Sequence, residues 1–311
     1  MEVMHQIYRD LNSLFNIKKK DLILFNKKTR DKNIKVFYEK KSQTFFLEKI
    51  HKHKDYYKDN KKNRVGSFSI NKYNNKEIKI KKDNYKNYKN ITKQNIFGDD
   101  YRRVDYFKKY FKKNLNICDF GCGFGGFLKL LKKNNNSNVC GVEVNKKSIK
   151  NINTKTIRIE QDLNNFKFNF DVITSFHVLE HLPDQLNVLK KFFKKLKNRG
   201  KLILEVPHAG DLLINKLNLK HYKNFIFWSE HLILHSEKSL TKYLKKAGFK
   251  KIKFYYYQRH NFLNHINWIL NDDYGGHIKY KRYHSNIVSS FYNNFLIKKK
   301  LTDTIKVVAE K

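Results

Sequence analysis

Two groups of residues in this 311-residue chain have the types and spacing of chemistry. In the first, Asp119 closes the apolar run 115–118, and Gly121, Gly123 and Gly125 follow at alternate positions before an apolar helix-like segment. Glycine lets the backbone turn tightly and come close to a ligand with no Cβ in the way, and the start of the following helix points unpaired N–H groups at it. That combination suits a nucleoside cofactor. Gly121, Gly123 and Gly126 also spell G-x-G-x-x-G, and Glu143 lies about twenty residues further on, so a dinucleotide site is a rival reading. Asp119 decides between them: its carboxylate would repel a pyrophosphate but attract the α-ammonium of S-adenosylmethionine. The second group is histidine, the side chain best suited to take a proton near neutral pH. His177, His181, His208 and His231 all fall at strand ends or in loops.

The elements that must position these groups are legible from pattern. Residues 115–119, 139–144, 155–159 and 170–176 read as successive buried strands, and 184–198 as an amphipathic helix with Leu186, Leu189, Phe193 and Leu196 on one face, ended near Gly200. Residues 201–206 give a fifth strand. Ser236 can cap a helix whose Leu240, Tyr243, Leu244 and Ala247 form one stripe before Gly248 stops it. Residues 251–257 and 304–309 then pair antiparallel. Upstream, 34–38 and 44–48 read as a hairpin, and the Lys/Asn/Tyr-rich stretch 51–95 as an arm or lid. An N-terminal part, 1–98, is thus expected before a main domain, 99–311, with an insert at 258–300.

From Asp119 to Gly125 the chain resembles the first motif, D-x-G-x-G-x-G, of the class I S-adenosylmethionine-dependent methyltransferases, and the later segments agree in order. The resemblance implies a Rossmann-like seven-stranded α/β sheet whose final strand is antiparallel, with S-adenosylmethionine as methyl donor. It implies that Asp119, Gly121, Gly123 and Gly125 hold the donor, that Glu143 takes the two ribose hydroxyls, and that Asp162, beside Leu163, meets the adenine amino group. Phe176 and His177 would line the loop at the transferable methyl. His181 belongs to a Leu-Glu-His-Leu turn, and His231 lies where related small-molecule enzymes meet the acceptor; these two are the candidate bases, His231 first. His177, Glu180 and His181 share an i, i+3, i+4 spacing similar to the Glu-x-x-Glu-His set that binds a divalent ion in some O-methyltransferases. His177 departs from that set, so a capping and packing role is expected, with no metal. The run Gln258 to Trp268, then Gly275-Gly276-His277, resembles the C-terminal insert of bacterial methyltransferases that accompany surface-polysaccharide biosynthesis. Its histidines and asparagines beside aromatic rings suit a carbohydrate acceptor.

Composition bounds the rest. Lys and Arg number 67 against 28 Asp and Glu, a formal charge of +39, so nucleic acid is a rival partner. The lysines, however, are scattered along every expected helix, and abundant Lys, Asn, Ile, Phe and Tyr with only 2 Pro fit the codon bias of an AT-rich genome. An N6-adenine or N4-cytosine methylase is disfavoured, because Asp171-Val-Ile-Thr-Ser-Phe-His lacks an Asn/Asp-Pro-Pro-aromatic loop. Three cysteines are too few for a disulfide scaffold. No signal sequence or membrane-length apolar run is seen, and a cytoplasmic location is the default expectation.

Overall fold

In a computed structural model, residues 5–50, 98–135, 138–149, 152 and 156–311 are described; the expected arm at 51–95 lies outside them. These residues carry a seven-stranded sheet in the order β10-β11-β8-β7-β4-β5-β6, with β4 Asn116–Phe120, β5 Asn138–Val142, β6 Arg158–Glu160, β7 Phe170–Phe176, β8 Leu196–Pro207, β10 Lys250–Tyr257 and β11 Thr304–Glu310. The chain divides into two compact units, one comprising 52–175 and 195–201, the other 1–51, 176–194 and 202–311.

In the first unit, β4 pairs in parallel with β5 and β7, and β5 with β6. Strands buried on both faces must be apolar throughout. Ile117, Cys118, Val139, Cys140, Val142, Val172 and Ile173 meet that requirement, each no more than 5 % exposed. The three cysteines are free and buried, as small apolar residues. The helix Gly126–Asn135 covers this sheet with Phe127, Leu128 and Leu131.

In the second unit, a four-stranded antiparallel sheet runs β1-β2-β3-β9, with β1 Leu22–Asn26, β2 Val36–Glu39, β3 Thr44–Leu47 and β9 Ile233–Leu234. The expected hairpin is β2 and β3. Its aromatic and branched residues fill a buried strand, with Phe45, Phe46 and Leu47 each under 4 % exposed. Because β9 lies about two hundred residues downstream and pairs with Phe45 and Phe46, the described N-terminal segment shares a unit with the C-terminal half. The helix Glu237–Ala247 is capped by Ser236, whose side chain accepts from the Ser239 N–H, and ends at Gly248 with φ +107°. The stripe Leu240, Tyr243, Leu244 and Ala247 is buried as expected.

One boundary moves. The helix expected over 184–198 spans Gln185–Lys195, and β8 begins at Leu196. Leu189 and Phe192 face inward on it, whereas Phe193 is only half-buried and Leu196 belongs to the strand. Gly200 lies inside β8 rather than at a helix end, and a Cβ there would meet the Lys197 carbonyl oxygen at 2.8 Å.

Candidate functional site: a nucleoside cradle and a histidine–carboxylate cluster

The cradle lies in the first unit. Its turn follows β4, with Gly121, Gly123 and Gly125 all at positive φ. The turn is tied to the neighbouring strand by Gly121 and Cys122 N–H groups donating to the Val142 carbonyl, 2.8 and 3.1 Å. Gly123 is decisive here: at φ +53° a Cβ is strained, and one built there would meet nothing within 4 Å, so the backbone faces open space that a ligand can take. Glu143 stands beside it, accepting from the Gly123 N–H at 2.9 Å and from the Asn145 N–H at 2.8 Å. Burial raises the Glu143 pKa although these two bonds lower it.

Asp119 is 4 % exposed and accepts from the Thr174 hydroxyl at 2.7 Å. Burial lifts its pKa to about 7, against the Thr174 hydrogen bond; the charge of Asp100 adds to the rise and that of Arg103 opposes it. A buried carboxyl held near neutrality is short of a cation. An ammonium-bearing ligand supplies one, whereas a pyrophosphate would aggravate the deficit. Asp162 is exposed and caps a short turn, accepting from the Asn164 N–H at 2.8 Å, while Leu163 is 1 % exposed.

The cluster lies in the second unit. Phe176 ends β7 and is buried; His177, next in the chain, adopts φ +54° and donates its N–H to the Glu205 carbonyl at 2.7 Å. Its ring is spanned by two carboxyl groups with no exposure at all: Nδ1 lies 3.3 Å from Glu180 Oε1, and Nε2 lies 3.2 Å from Glu205 Oε1. Burial and the charge of Arg259 oppose protonation of His177, yet the Glu180 and Glu205 carboxylates that its ring nitrogens face raise its pKa overall. Burial likewise opposes ionisation of Glu180, but its histidine neighbours hold it down to about 2.

His181 orients itself by Nδ1, which lies 2.8 Å from the Glu230 carbonyl. A carbonyl only accepts, so Nδ1 carries the hydrogen and the lone pair sits on Nε2, 3.8 Å from Glu180 Oε1. His231 closes the group, its ring 5.0 Å from that of His181 and 5.2 Å from Trp228. Burial pushes its pKa well down, so it is neutral. What brings His231 here is the small sheet. Leu47 N–H donates to the Leu232 carbonyl at 3.0 Å, Leu232 N–H donates to the Glu180 backbone carbonyl at 2.9 Å, and Asp31 takes both the N–H and hydroxyl of Ser229 at 2.9 and 2.6 Å. Arg30 covers Trp228 at 4.9 Å.

One ligand atom each from Glu180, His181 and His231 falls within 4.8 Å of the others, a set able to hold a divalent transition ion. Glu180 Oε1 meets the histidines as an ion pair, whereas among the described residues Glu180 Oε2 and His231 Nδ1 have no hydrogen-bond partner.

The structure separates the other expected residues from this cluster. His208, 5 % exposed, bonds the Thr302 carbonyl at 3.0 Å, and burial lowers its pKa to about 4. In the insert, Asn264, His265 and Trp268 are at most 5 % exposed. His265 bonds Tyr292 at 2.7 Å, Asn264 accepts from Gly275 N–H at 3.1 Å, and Trp268 packs on Tyr222 and Phe225. Asn264 and His265 are thus engaged within the insert, and Trp268 fastens it to the helix Lys220–Ile226. Glu205 and Glu230 escaped the sequence reading. A lone Glu205 within the apolar run 202–206 was the available signal; Glu230 acts through its carbonyl and left none.

The fold and the cradle together define a class I nucleoside-cofactor sheet. Residues 94–253, just over half the chain, match the model of a methyltransferase domain, and the chain belongs to that family, whose methyl donor is S-adenosylmethionine. It is similar to an uncharacterized protein of Methanocaldococcus jannaschii, 31 % identical over 33 % of this chain and 45 % of that one. It is also similar to the ubiquinone biosynthesis O-methyltransferase of Idiomarina loihiensis, 29 % identical over 38 % of this chain and 49 % of that one. The chain thus spans about half the length of the curated relatives it matches. A solved S-adenosylmethionine-dependent methyltransferase from Archaeoglobus fulgidus is 21 % identical over 68 % of this chain and 92 % of its own, with a TM-score of 0.48.

Proposed function

We propose that the protein transfers a methyl group from S-adenosylmethionine to a hydroxyl of a small polar metabolite such as a sugar or sugar precursor. Asp119 and the glycine turn hold the amino-acid end of the donor, Glu143 its ribose hydroxyls and Asp162 its adenine. The methyl group leaves as the C–S bond breaks and the acceptor C–O bond forms; the sulfonium becomes a neutral thioether, and the hydroxyl proton passes to a base. The observation that carries the reading is the orientation of His181. Its Nε2 lone pair faces the buried Glu180 carboxylate, an arrangement that attracts positive charge and stabilises the imidazolium formed when the proton arrives. His231, driven neutral by burial, is the weaker proton acceptor and serves as the polar neighbour that positions His181. This ordering reverses the sequence expectation.

A screen of sugars and nucleotide sugars, following transfer of a labelled methyl group, tests the reading. His181→Asn is expected to lower turnover about a hundredfold or more while S-adenosylhomocysteine affinity holds. Full turnover in that variant, or transfer to RNA in preference to every hydroxyl metabolite, contradicts it. A second reading draws on the close approach of one ligand atom each from Glu180, His181 and His231 and on the unpartnered His231 Nδ1 among the described residues: the positive charge is a divalent ion on those three residues, which would acidify the acceptor hydroxyl. Metal analysis of the purified chain separates the two. About one equivalent of a transition ion, lost in His231→Ala, favours the second; none favours the first.

A further inference from the structure

The insert ends in a helix, Asn286–Lys299, that leaves several large apolar residues exposed. Leu296 and Ser289 are its buried residues. Ile287, Phe291 and Phe295, spaced i, i+4 and i+8 on one stripe, are 83, 77 and 46 % exposed. Elsewhere in the same insert Leu270 is 72 % and Ile278 54 % exposed. Single exposed apolar residues need no explanation, but an ordered stripe of large ones marks a surface with a partner. Cations bracket the stripe. Lys281 and Arg282 precede the helix, Lys298 and Lys299 end it, and among the described residues neither Lys298 nor Lys299 has a carboxylate partner.

We propose that this face docks on an anionic lipid membrane, the helix lying in the interface with Ile287, Phe291 and Phe295 toward the acyl chains and its flanking lysines on the headgroups. Charge selects the occupant. With a formal charge of +39, a second copy of the chain would be repelled, whereas an anionic bilayer attracts every lysine within a Debye length. Aliphatic Ile287 and Leu270 offer nothing to a phosphate backbone or a nucleobase but insert readily between acyl chains. No described helix is long and apolar enough to cross a membrane, so the helix would lie on the surface rather than span it.

Flotation of the full chain with vesicles tests the proposal, comparing phosphatidylcholine alone with a mixture roughly one-third phosphatidylglycerol, at about 0.15 M salt. The expected result is binding to the anionic vesicles and little to the neutral ones. The double variant Ile287→Asp/Phe291→Asp should reduce binding at least about tenfold, and Lys298→Glu/Lys299→Glu should weaken the preference for anionic lipid. S-Adenosylhomocysteine affinity, measured in parallel, should stay at the wild-type value in both variants, showing that they are folded and keeping this test separate from the assignment of the donor. The proposal is overturned if the wild type ignores anionic vesicles, or if the Asp pair binds them as well as wild type, which would assign the attraction to scattered lysines. It is equally overturned if the Asp pair loses self-association or RNA binding while vesicle binding persists.

Discussion

At the residue scale, one buried carboxyl, Asp119, decides which ligand the cradle accepts. Asp119 was legible because an acidic residue before a glycine turn is a rare placement; that burial and Asp100 hold it near pH 7 emerges only from the packing. The consequence is directional. With the free carboxyl titrating at about 7, an ammonium ligand must displace the proton below that pH. Affinity for S-adenosylhomocysteine is therefore expected to rise through pH 6 to 8 and to level off above, by up to about tenfold per pH unit. In Asp119→Asn the profile should be flat and the affinity low. Calorimetry across that range reads both, and a flat wild-type profile would remove Asp119 from contact with the ligand's cation. The four histidines His177, His181, His208 and His231 are alike by residue type, and only folding distinguishes a ring clasped by two carboxyl groups from one buried against a carbonyl.

At the scale of elements, the β2–β3 hairpin was readable from its aromatic alternation, but its purpose was not, because β9 is two residues long and far away in sequence. Pairing of Phe45 and Phe46 with Ile233 and Leu234 fixes the loop that carries Ser229 and His231. Asp31 is the pin of that loop. Burial tends to raise its pKa, yet the Ser229 bonds outweigh this and leave it lowered. Its contribution to stability is thus present above the ordinary carboxylate pKa and lost as pH falls through the folded value. Asp31→Ala should cost only about 1 kcal/mol, since the residue is exposed and its charge screened. Thermal melts at pH 7 and pH 3 should show the difference between variant and wild type shrinking at the lower pH. If the loop is the support for the cluster, the same variant should lower methyl transfer with little change in S-adenosylhomocysteine binding. The displaced helix end at Lys195 has a simpler cause: Leu196 satisfies a helical stripe and a buried strand equally well, and pairing in the sheet decides in favour of the strand.

At the scale of the whole molecule, the +39 charge was the loudest signal in the composition and the least specific, since lysines spread over every helix can mean nucleic acid, lipid or codon usage. Order of strands and the donor motif were legible because both are local in sequence. The insert was not, because Asn264, His265 and Asn267 turn inward while Ile287, Phe291 and Phe295 turn outward, the opposite of what residue type suggests. The central claim remains that the Asp119–Glu143 cradle holds S-adenosylmethionine, and titration calorimetry with S-adenosylhomocysteine and NAD tests it most directly. The wild type should bind S-adenosylhomocysteine and not NAD, and Glu143→Ala should weaken that binding by about 1.5 to 3 kcal/mol, the worth of a charge-assisted hydrogen bond to the ribose. Preferential binding of NAD, or an affinity for S-adenosylhomocysteine untouched by Glu143→Ala, would contradict the account.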